Sequence, residues 1–357
     1  MDSTGEIKLN AAKEDVKRLF RRRVLFITIV FLLVVIVIGI SITLGSADIS
    51  VIEVYKILLN QLFPGLFDVD YKYASIIVNI RAPRVLMAVA AGAGLAIGGC
   101  ITQSILRNSL ATPYTLGISS GACFGAAIFI LYGVSIFNGV FGQIVNAFLF
   151  SLIPVMAILI ASERRSLTPT SMVLCGIAIS YIFSACNTIL QYFGTPEAVK
   201  GVVFWSVGDL NNSVLWQVPY VGITTLIVFI ISMLLSRDIN IMKMGDDTAT
   251  ALGINVKRTR IISILLACIC TATIVSFVGP IGFICLLAPH ISRRFVGGDM
   301  RYLIPASAVL GAILLLVADM VAKTIISPIM LPVGAVTALC GGPLLVYLLL
   351  KRRTTAI

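Results

Sequence analysis

The chain has 357 residues, of which 59% are apolar or aromatic and only 12% are charged, whereas an average soluble domain has about 25% charged residues. This composition excludes an ordinary soluble globular protein, and the length leaves room for roughly ten membrane spans of about 20 residues each. The net charge of +11 would suggest nucleic acid as a partner of a soluble protein, but in a membrane protein basic residues mark the cytoplasmic side.

Long apolar stretches predict nine clear transmembrane helices. They are residues 24–44, 84–105, 114–132, 143–161, 171–193, 218–236, 260–279, 303–325 and 333–350. A further stretch, 280–292, has the sequence PIGFICLLAPHIS and is too short for an ordinary span of about 20 residues.

The positions of the Lys and Arg residues decide whether 280–292 crosses the membrane. If it crosses, 21 of the 27 basic residues lie on the side of both termini, and if it does not, the division is 16 to 11. Cytoplasmic loops are enriched in Lys and Arg, which favours the first topology. We therefore predict an all-α, multi-pass protein of the plasma (inner) membrane with about ten transmembrane helices and both termini cytoplasmic. Irregular backbone is expected around Gly279–Pro280 and Gly282.

This topology divides the chain into a cytoplasmic basic tail (1–23), a single transmembrane domain (24–350) with a long internal loop (237–259), and a cytoplasmic tail (351–357). The basic residues of the first tail resemble the start of a signal peptide. The apolar run that follows has 21 residues, however, which is longer than the about 7–15 apolar residues of such peptides. We expect it to be retained as the first span.

Two external segments have recognisable patterns. In 45–82, apolar residues at helical spacing predict a short amphipathic helix on the outer surface. These residues are Val54, Tyr55, Leu58 and Leu59. In 194–217, Trp205 and Trp216 are interpreted as anchors at the membrane interface rather than as substrate-stacking residues.

The sequence carries no recognisable catalytic or metal-binding arrangement. Its eight cysteines lie in apolar runs without metal-ligand spacing, and its single histidine, His290, belongs to no known nucleophile-and-base pattern. A GxxxxGK[ST] phosphate loop is also absent, so ATP hydrolysis would have to occur on another chain. We expect a transport subunit without enzyme activity, metal site or cofactor, with ATP bound by partner subunits.

Acidic residues are scarce in the predicted spans, where only Asp319 lies clearly inside one. Ion-coupled carriers usually need such buried groups, which disfavours a secondary transporter, the alternative function. Lys323 follows four residues later, in the helix-favoured order of an ion pair. Two interpretations stay open: a pair that lets both charges tolerate the membrane, or a Lys323 ammonium group that reaches water and faces an external partner.

The internal loop contains the run GDDTATALGIN, which predicts a short helix between a cap and a stop. Asp246 or Asp247 can cap its first turn, and Thr248–Leu252 form its body. Gly253 can supply a left-handed end, and Asn255 can cap the following helix. Such a rigid projection suits docking of a separate ATPase, and a plain loop with local helix is the other interpretation.

Six motifs follow one another along the chain. They are RAPRVLMAVAAGAGLAIGG (81–99), QSILRNSLATPYTLGISSGA (103–122), GDDTATALGI (245–254), VGPIGFICLLAPHISR (278–293), ADMVAK (318–323) and LPVGAVTALCGGP (331–343). In this order they resemble the FecCD-type permease subunits of ABC importers, the transmembrane subunits of type II importers for iron-siderophore complexes, haem and cobalamin. The resemblance covers nearly the whole chain from about residue 25.

The resemblance implies a function and a set of partners. The function is that of a permease subunit of an ATP-driven importer that moves a metal chelate, foremost an iron-siderophore complex, into the cytoplasm by alternating access. The expected partners are a second permease subunit (favouring a homodimer), two cytoplasmic ATPase subunits, an extracytoplasmic substrate-binding protein and membrane lipid, without nucleic acid. The fifth span, here 171–193, would line most of the pathway between the two permease subunits.

The resemblance also carries functional positions over to this sequence. The ATPase-coupling segment would comprise Gly245, Asp246, Asp247, Thr248, Ala249, Leu252 and Gly253. The binding protein would dock on Arg81, Arg84 and Lys323. The inner gate would comprise Asn108, Leu110, Thr168 and Thr170.

Three details of these motifs affect the carry-over. The family often has Arg where this chain has Lys323, and lysine lacks the two-donor fork of a guanidinium group. The family usually reads RNPLA, whereas Ser109 replaces the proline here. Pro83 favours a helix that starts just after Ala82, which would put Arg81 outside the second span and Arg84 in its first turn.

Overall fold

The computed structural model describes residues 3–45, 47, 49–165 and 168–351, and all regular secondary structure in these residues is helical. The α-helices are α1 (Ser3–Thr43), α2 (Val51–Leu62), α3 (Tyr71–Ile76), α4 (Ala82–Ile105), α5 (Ile118–Tyr132), α6 (Val140–Arg165), α7 (Pro169–Tyr192), α8 (Pro196–Val207), α9 (Val218–Leu234), α10 (Ser236–Met242), α11 (Asp246–Ala251), α12 (Val256–Val278), α13 (Ile284–Val296), α14 (Met300–Thr324) and α15 (Val333–Lys351). A π-helical turn (Ile77–Arg81) joins α3 to α4, and 3₁₀ turns precede α5 (Pro113–Leu116) and α9 (Leu215–Gln217). The prediction of an all-α protein is confirmed.

Seven of the described helical segments have the length and hydropathy of membrane spans. They are Lys17–Thr43, Tyr71–Ile105, Val140–Arg164, Pro169–Tyr192, Leu215–Leu234, Val256–Val278 and Met300–Thr324. Two shorter apolar helices cover Ile118–Tyr132 and Val333–Tyr347. Each of the nine apolar stretches of the sequence therefore coincides with an apolar helix.

Helix α4 lies at the centre of the bundle, where 19 of its 24 residues are buried and where it packs against α9, α12, α13 and α14. We use α4 to name the two ends of the bundle. The outer end is the one where Arg84 lies in the first turn of α4. The inner end is the one where Arg107 follows the last residue of α4, Ile105.

Small residues let α4 approach its neighbours at backbone distance. A Cβ added to Gly92 would overlap the carbonyl oxygen of Gly311 on α14, and a Cβ added to Gly99 would overlap that of Cys285 on α13. Small residues favour helix association in membranes because they permit this close contact. The GAGLAIGG run of the sequence thus explains the central position of α4.

The segment that follows α12 starts at the outer end. The carbonyl oxygen of Val278 accepts a hydrogen bond from the backbone amide of Asp209 (2.8 Å). Asn211, two residues after Asp209, accepts a hydrogen bond from Arg84. The predicted irregularity around Gly279–Pro280 is confirmed, because residues 279–283 are not helical.

The same segment finishes at the inner end. There the carbonyl oxygen of Gly298, just beyond α13, accepts a hydrogen bond from Lys243, and the neighbouring Met242 carbonyl oxygen accepts one from Arg107. The 13 residues of α13 cover about 20 Å, and the five residues 279–283 add up to about 17 Å. Helix and non-helical residues together traverse the bundle, although neither would do so alone.

The prediction that a helix starts after Ala82 is wrong, because helical structure is continuous over Tyr71–Ile105. A proline inside an α-helix clashes with the carbonyl group four residues earlier. The π turn over Ile77–Arg81 relieves this clash for Pro83, since the Ala82 amide pairs with the carbonyl oxygen five residues back. Arg81 therefore lies inside the helix.

The predicted external helix is present as α2. Only some of the residues predicted to form its buried apolar face are buried. Val54 is buried together with Ile57, whereas Tyr55 and Leu59 are 45% and 42% exposed. The buried face packs against α1 and the π turn before α4. This contact attaches α2 to the outer end.

Trp216, in the other external segment, belongs to an aromatic cluster. Trp216 stacks on Phe141 with ring centroids 4.7 Å apart and meets Tyr220 and Phe277 edge-on. It is 39% exposed. The assignment of Trp205 and Trp216 as interface anchors stays a prediction.

We expect Gly99→Ala to push α4 and α13 apart. This should lower the free energy of unfolding by about 1–3 kcal/mol, the usual effect of overpacking. The measurement is the thermal unfolding temperature of the purified chain in detergent. Gly222→Ala on α9 is the matched control, because a Cβ at Gly222 meets no atom within 4 Å among the described residues. Equal unfolding temperatures of the two variants would contradict this prediction.

Candidate functional site

Helix α7 is the helix that the rest of the chain covers least among the long helices. Only Met172 and Gly176 of its residues are buried. Its exposed side chains include large apolar and aromatic ones: Leu174, Ile177, Tyr181, Ile182, Ile189 and Tyr192. Its polar residues recur at helical spacing: Ser180, Ser184, Asn187, Thr188 and Gln191. A helix with such a mixed and uncovered surface suits contact with another chain or with an aqueous pathway.

A cavity of about 470 Å³ opens beside the middle of α7. Its wall includes Tyr114 and Thr115 from the 3₁₀ turn before α5, and Ile177, Ser180 and Ser184 from α7. Hydroxyl groups and apolar side chains alternate in this wall. The predicted pathway segment 171–193 thus borders a cavity of mixed polarity.

The four predicted gate residues lie in two local turns. Asn108 Oδ1 accepts a hydrogen bond from the Leu110 amide (2.9 Å), and the Leu110 side chain is 46% exposed. Thr168 Oγ1 accepts one from the Ser171 amide (3.2 Å) and caps α7, while Thr170 is exposed. The structure gives both pairs ordinary capping and turn chemistry, and their role as a gate stays a prediction.

The predicted internal projection contains α11 and the start of α12, and the sequence did not predict α10, which precedes them. Helix α11 covers Asp246–Ala251, Gly253 has the left-handed φ of +82°, and Asn255 Oδ1 accepts a hydrogen bond from the Arg258 amide (3.0 Å). The predicted helix, its stop and the cap of the following helix are therefore confirmed.

The expectation that Asp246 or Asp247 caps α11 is wrong, since no side chain caps this helix. The Asp246 carboxylate instead binds Arg260 Nη2, at 2.9 Å from Oδ1 and 2.8 Å from Oδ2, and Arg107 Nη2. Arg107 also donates to the Met242 carbonyl oxygen from Nε (3.0 Å) and Nη2 (2.6 Å). Asp246 thus attaches α11 to the inner ends of α4 and α12.

Arg107 and Arg260 were not recognised as functional candidates from the sequence. Arg107 lies 139 residues before Asp246 and 135 before Met242, so no local pattern reveals these contacts. In the structure Arg107 has a positive φ of 47°, which the sequence did not indicate.

Burial by itself would raise the pKa of the Asp246 carboxyl group, but the hydrogen bonds and charges of Arg260 and Arg107 outweigh it and hold the pKa below its ordinary value. The carboxylate therefore stays charged at neutral pH. Its charge is therefore available to both guanidinium groups at neutral pH.

The face of α11 that points away from the bundle is exposed. Asp247 and Thr248 are exposed, and so are two large apolar side chains at its flanks, Met244 (71%) and Leu252 (60%). Ala249 is buried on the opposite face. A rigid helix that presents apolar residues away from its own core is a candidate docking surface.

The outer end contains a buried cluster of charges. Asp319 on α14 lies 2.6 Å from Arg84 Nε and 2.6 Å from Lys323 Nζ. The three side chains are at most 4% exposed. Asp319 thus joins α4 to α14, and the predicted Asp319–Lys323 pair is confirmed.

The expectation that Lys323 reaches water is wrong, because its ammonium group is buried against Asp319. Arg81 is buried as well, and its guanidinium group donates to the carbonyl oxygens of Ile42 (3.1 Å), Thr43 (2.7 Å) and Ala47 (2.6 Å). A cation that binds the last carbonyl groups of a helix stabilises its C-terminus. The docking role of Arg81, Arg84 and Lys323 stays a prediction. The structure shows that these three side chains are buried.

Comparison with known proteins identifies close relatives. The sequence model of the FecCD transport family matches residues 32–351. The ABC transporter permease protein MJ0087 of Methanocaldococcus jannaschii is 41% identical over 83% of this chain and 88% of its own length. The Fe(3+)-citrate import system permease protein YfmE of Bacillus subtilis is 36% identical over 92% and 96%. A solved structure described as an inward-facing metal-chelate type ABC transporter has a TM-score of 0.80 and 29% identity, over 91% of this chain and 98% of that one.

We expect Asp246→Asn to release α11, because the variant loses the charge that both guanidinium groups bind. Amides of 245–253 should exchange faster with deuterium. Asp247→Asn is the matched control, since Asp247 forms no ion pair among the described residues. Identical exchange in the two variants would show that the attachment does not hold α11.

The same attachment should weaken in the wild-type chain at acid pH. A carboxyl group with a lowered pKa stabilises the folded state above the ordinary Asp pKa of about 3.9, and this contribution disappears as the pH falls through the lower folded-state value. The protection factors of the α11 amides, which correct for the intrinsic pH dependence of exchange, should therefore fall below about pH 4, and should fall less in Asp246→Asn.

We expect Asp319→Asn to destabilise the protein by about 3–5 kcal/mol, the usual cost of removing one partner of a buried ion pair. Arg84 and Lys323 would remain buried without a counter-ion. The control is Asp68→Asn, the same replacement at an exposed position. Thermal unfolding in detergent measures the difference, and equal stability of both variants would refute the structural role of Asp319.

Proposed function

Because the chain belongs to the FecCD transport family, we propose that it forms half of the translocation pathway through which an ATP-driven importer moves a ferric chelate into the cytoplasm. The chain is the membrane-embedded permease subunit of an ABC importer, and ATP hydrolysis lies on separate subunits. The observation that carries the proposal is the match of nearly the whole chain to a permease for an iron chelate, Fe(3+)-citrate.

We infer ten membrane crossings with both termini cytoplasmic. The nine apolar helices and the segment 279–297, which runs between the two ends of the bundle, support this count. The stacking of Phe26 on Phe295 at 4.5 Å supports a cytoplasmic start of α1, because it joins the beginning of that span to the inner end. The 21 basic residues on one side support the orientation.

The proposed pathway lies between two copies of this chain, with α7 on each side. The uncovered surface of α7 and the cavity beside it support this position. Asn108, Leu110, Thr168 and Thr170 would form the inner gate near the start of α7. A homodimer accounts for both halves without a further permease, because each copy presents the same surface.

The proposed docking surface for the ATPase is the exposed face of α11 between Gly245 and Gly253. Its support is the combination of exposed Met244 and Leu252 with the attachment of Asp246 to α4 and α12. A force applied to a helix attached in this way reaches the bundle. ATP binding on the partners would then shift α7 and the gate between inward-open and outward-open states.

The proposed docking region for an extracytoplasmic binding protein is the outer end. For the three positive charges of Arg81, Arg84 and Lys323, Asp319 is the one carboxylate within ion-pair distance among the described residues, and this surplus supports attraction of an acidic partner. Since the three cations are buried, they would attract the binding protein through their electrostatic field, or would contact it after local opening of the outer end.

A ferric chelate requires no metal ligands from the permease, because the chelator already surrounds the iron. This suits the described residues, in which no three His, Cys, Asp or Glu side chains are grouped as a metal site. Tyr and Ser side chains on α7 would contact the chelator, and no covalent step is involved. The chain would need no cofactor of its own.

The test is uptake into proteoliposomes that contain this chain, its ATPase and its binding protein. Labelled ferric citrate, a ferric hydroxamate siderophore, haemin and cobalamin are compared. We expect ATP-dependent uptake of a ferric chelate that an uncoupler leaves unchanged. Uptake that persists without the ATPase and collapses with an uncoupler would refute the proposal, and so would transport of none of the four.

Leu252→Glu should reduce uptake and stimulated ATP hydrolysis by at least tenfold, because it puts a charge into the proposed apolar contact with the ATPase. Deletion of Thr248–Leu252 should abolish both. Leu66→Glu is the matched control, since Leu66 is similarly exposed (56%) but lies in the external segment. Normal uptake by the deletion variant would reject α11 as the coupling segment.

A further inference from the structure

A second cavity, of about 420 Å³, opens at the inner end beside α4. We call it the basic pocket, and the residues of its wall used below are Gln103, Ser104, Arg107, Ser109, Lys243 and Arg293. Three of the six are cations, and none is acidic. None belongs to the predicted coupling, docking or gate residues.

The three cations come from three separate parts of the chain. Arg107 follows α4, Lys243 lies between α10 and α11, and Arg293 is in the last turn of α13. Each is held in position: Arg107 by the Met242 carbonyl oxygen, Lys243 by that of Gly298, and Arg293 by Gln103 Oε1 (3.3 Å). The pocket is therefore part of the fold rather than a chance gap between mobile side chains.

The positive charge of the basic pocket is not balanced by the described residues. Lys243 and Arg293 have no carboxylate within ion-pair distance among them, and Arg107 shares the carboxylate of Asp246 with Arg260. The nearby Asp299 is paired with Arg301 at 2.8 Å. Lys243 and Arg293 thus face the cavity with neutral hydrogen-bond partners but without a carboxylate partner among the described residues.

The surroundings of Lys243 illustrate how this pocket disfavours an unbalanced cation. Burial is the main reason why the pKa of the Lys243 ammonium group is lowered, and the charge of Arg293 adds to it against the opposing influences of Cys100 and Asp299. Like charges held together in a partly buried site repel each other. An anion that entered the cavity would remove this repulsion, which is the electrostatic basis for binding.

The donor groups identify the kind of anion. Guanidinium groups bind phosphate through two parallel hydrogen bonds, and a lysine ammonium group adds a point charge. The Ser109 hydroxyl and the Gln103 amide add neutral donors at the same wall. Basic pockets between transmembrane helices on the cytoplasmic side bind phosphate-bearing head groups.

We propose that the basic pocket binds the phosphate group of a small ligand, either the head group of an anionic phospholipid or a free phosphate compound. Its surroundings are compatible with both sources. The wall presents the same phosphate-binding donors to a lipid head group and to a free phosphate compound. The volume of the cavity accommodates a phosphate group with part of its substituent.

The test measures binding to the purified full chain in neutral detergent. The probes are labelled inorganic phosphate, by equilibrium dialysis, and short-chain phosphatidylglycerol, by native mass spectrometry. Short-chain phosphatidylcholine is the zwitterionic control. Arg293→Gln and Lys243→Gln should each weaken binding about tenfold, the size expected for one charged hydrogen bond. Arg294→Gln is the matched control, because this neighbouring arginine is exposed and outside the pocket wall.

A third variant keeps the test decisive if Lys243→Gln does not fold. Ser109→Asp removes none of the contacts that hold the cations, and it places a carboxylate in the pocket as an internal competitor. It should abolish binding. Thermal unfolding without any probe verifies that each variant is folded.

The outcomes separate the two sources of phosphate. Saturable binding of phosphatidylglycerol alone assigns the pocket to a lipid head group, and comparable binding of inorganic phosphate assigns it to free phosphate. The proposal is overturned if neither probe binds saturably, if phosphatidylcholine binds as well as phosphatidylglycerol, or if Arg294→Gln weakens binding as much as Arg293→Gln. None of these readings depends on substrate uptake, so the proposed transport function is tested separately.

Discussion

Inside a hydrocarbon layer, a backbone amide or carbonyl group that leaves its helix must find a partner within the protein, because no water is present. The break at 279–283 obeys this constraint. Tyr114 donates a hydrogen bond to the Ile281 carbonyl oxygen (3.0 Å), and the Asp209 amide donates to that of Val278. Glycines permit close packing around the break, since a Cβ added to Gly208 would overlap the Pro280 carbonyl oxygen and a Cβ added to Gly99 on α4 would overlap that of Cys285, two residues after the break. The glycine-rich centre of the bundle therefore makes the non-helical crossing at 279–283 possible.

The two ends of α4 are attached by similar arrangements in different environments. At each end, an arginine beside α4 shares one carboxylate with a second cation: Arg84 shares Asp319 with Lys323, and Arg107 shares Asp246 with Arg260. The Asp319 side chain is fully buried, whereas that of Asp246 is 40% exposed. Water and salt weaken the exposed attachment and hardly reach the buried one. The outer attachment thus suits a permanent joint, and the inner one suits a surface that has to respond to a partner.

The sequence predicted those features that depend on neighbours along the chain. Apolar periodicity predicted the helices, Gly253 and Asn255 predicted how α11 ends and α12 begins, and the Asp319–Lys323 pair followed from helical spacing. Contacts between distant segments had no such signal, so Arg84 was expected to face a partner although it binds Asp319, 235 residues away. The prediction of a helix start at Pro83 was wrong for a related reason. Tertiary packing keeps the chain helical there through a π turn, which local preference does not predict. The burial of Lys323 likewise depends on neighbours that sequence spacing cannot reveal.

The uneven burial of α7 has a mechanical consequence. Its two buried residues, Met172 and Gly176, lie within its first two turns, and the backbone of Leu116 approaches Gly176 so closely that a side chain there would not fit. Beyond this point, about 24 Å of helix leans on α5 through edge contacts such as Phe183 against Phe124, with ring centroids 5.5 Å apart. Close packing at Gly176 therefore holds the start of α7 in place, whereas the longer part of the helix extends toward the outer end with few tight contacts. A tilt of about 5° at Gly176 would move the far tip of α7 by about 2 Å, so that small displacements at the inner end would become larger toward the outer end.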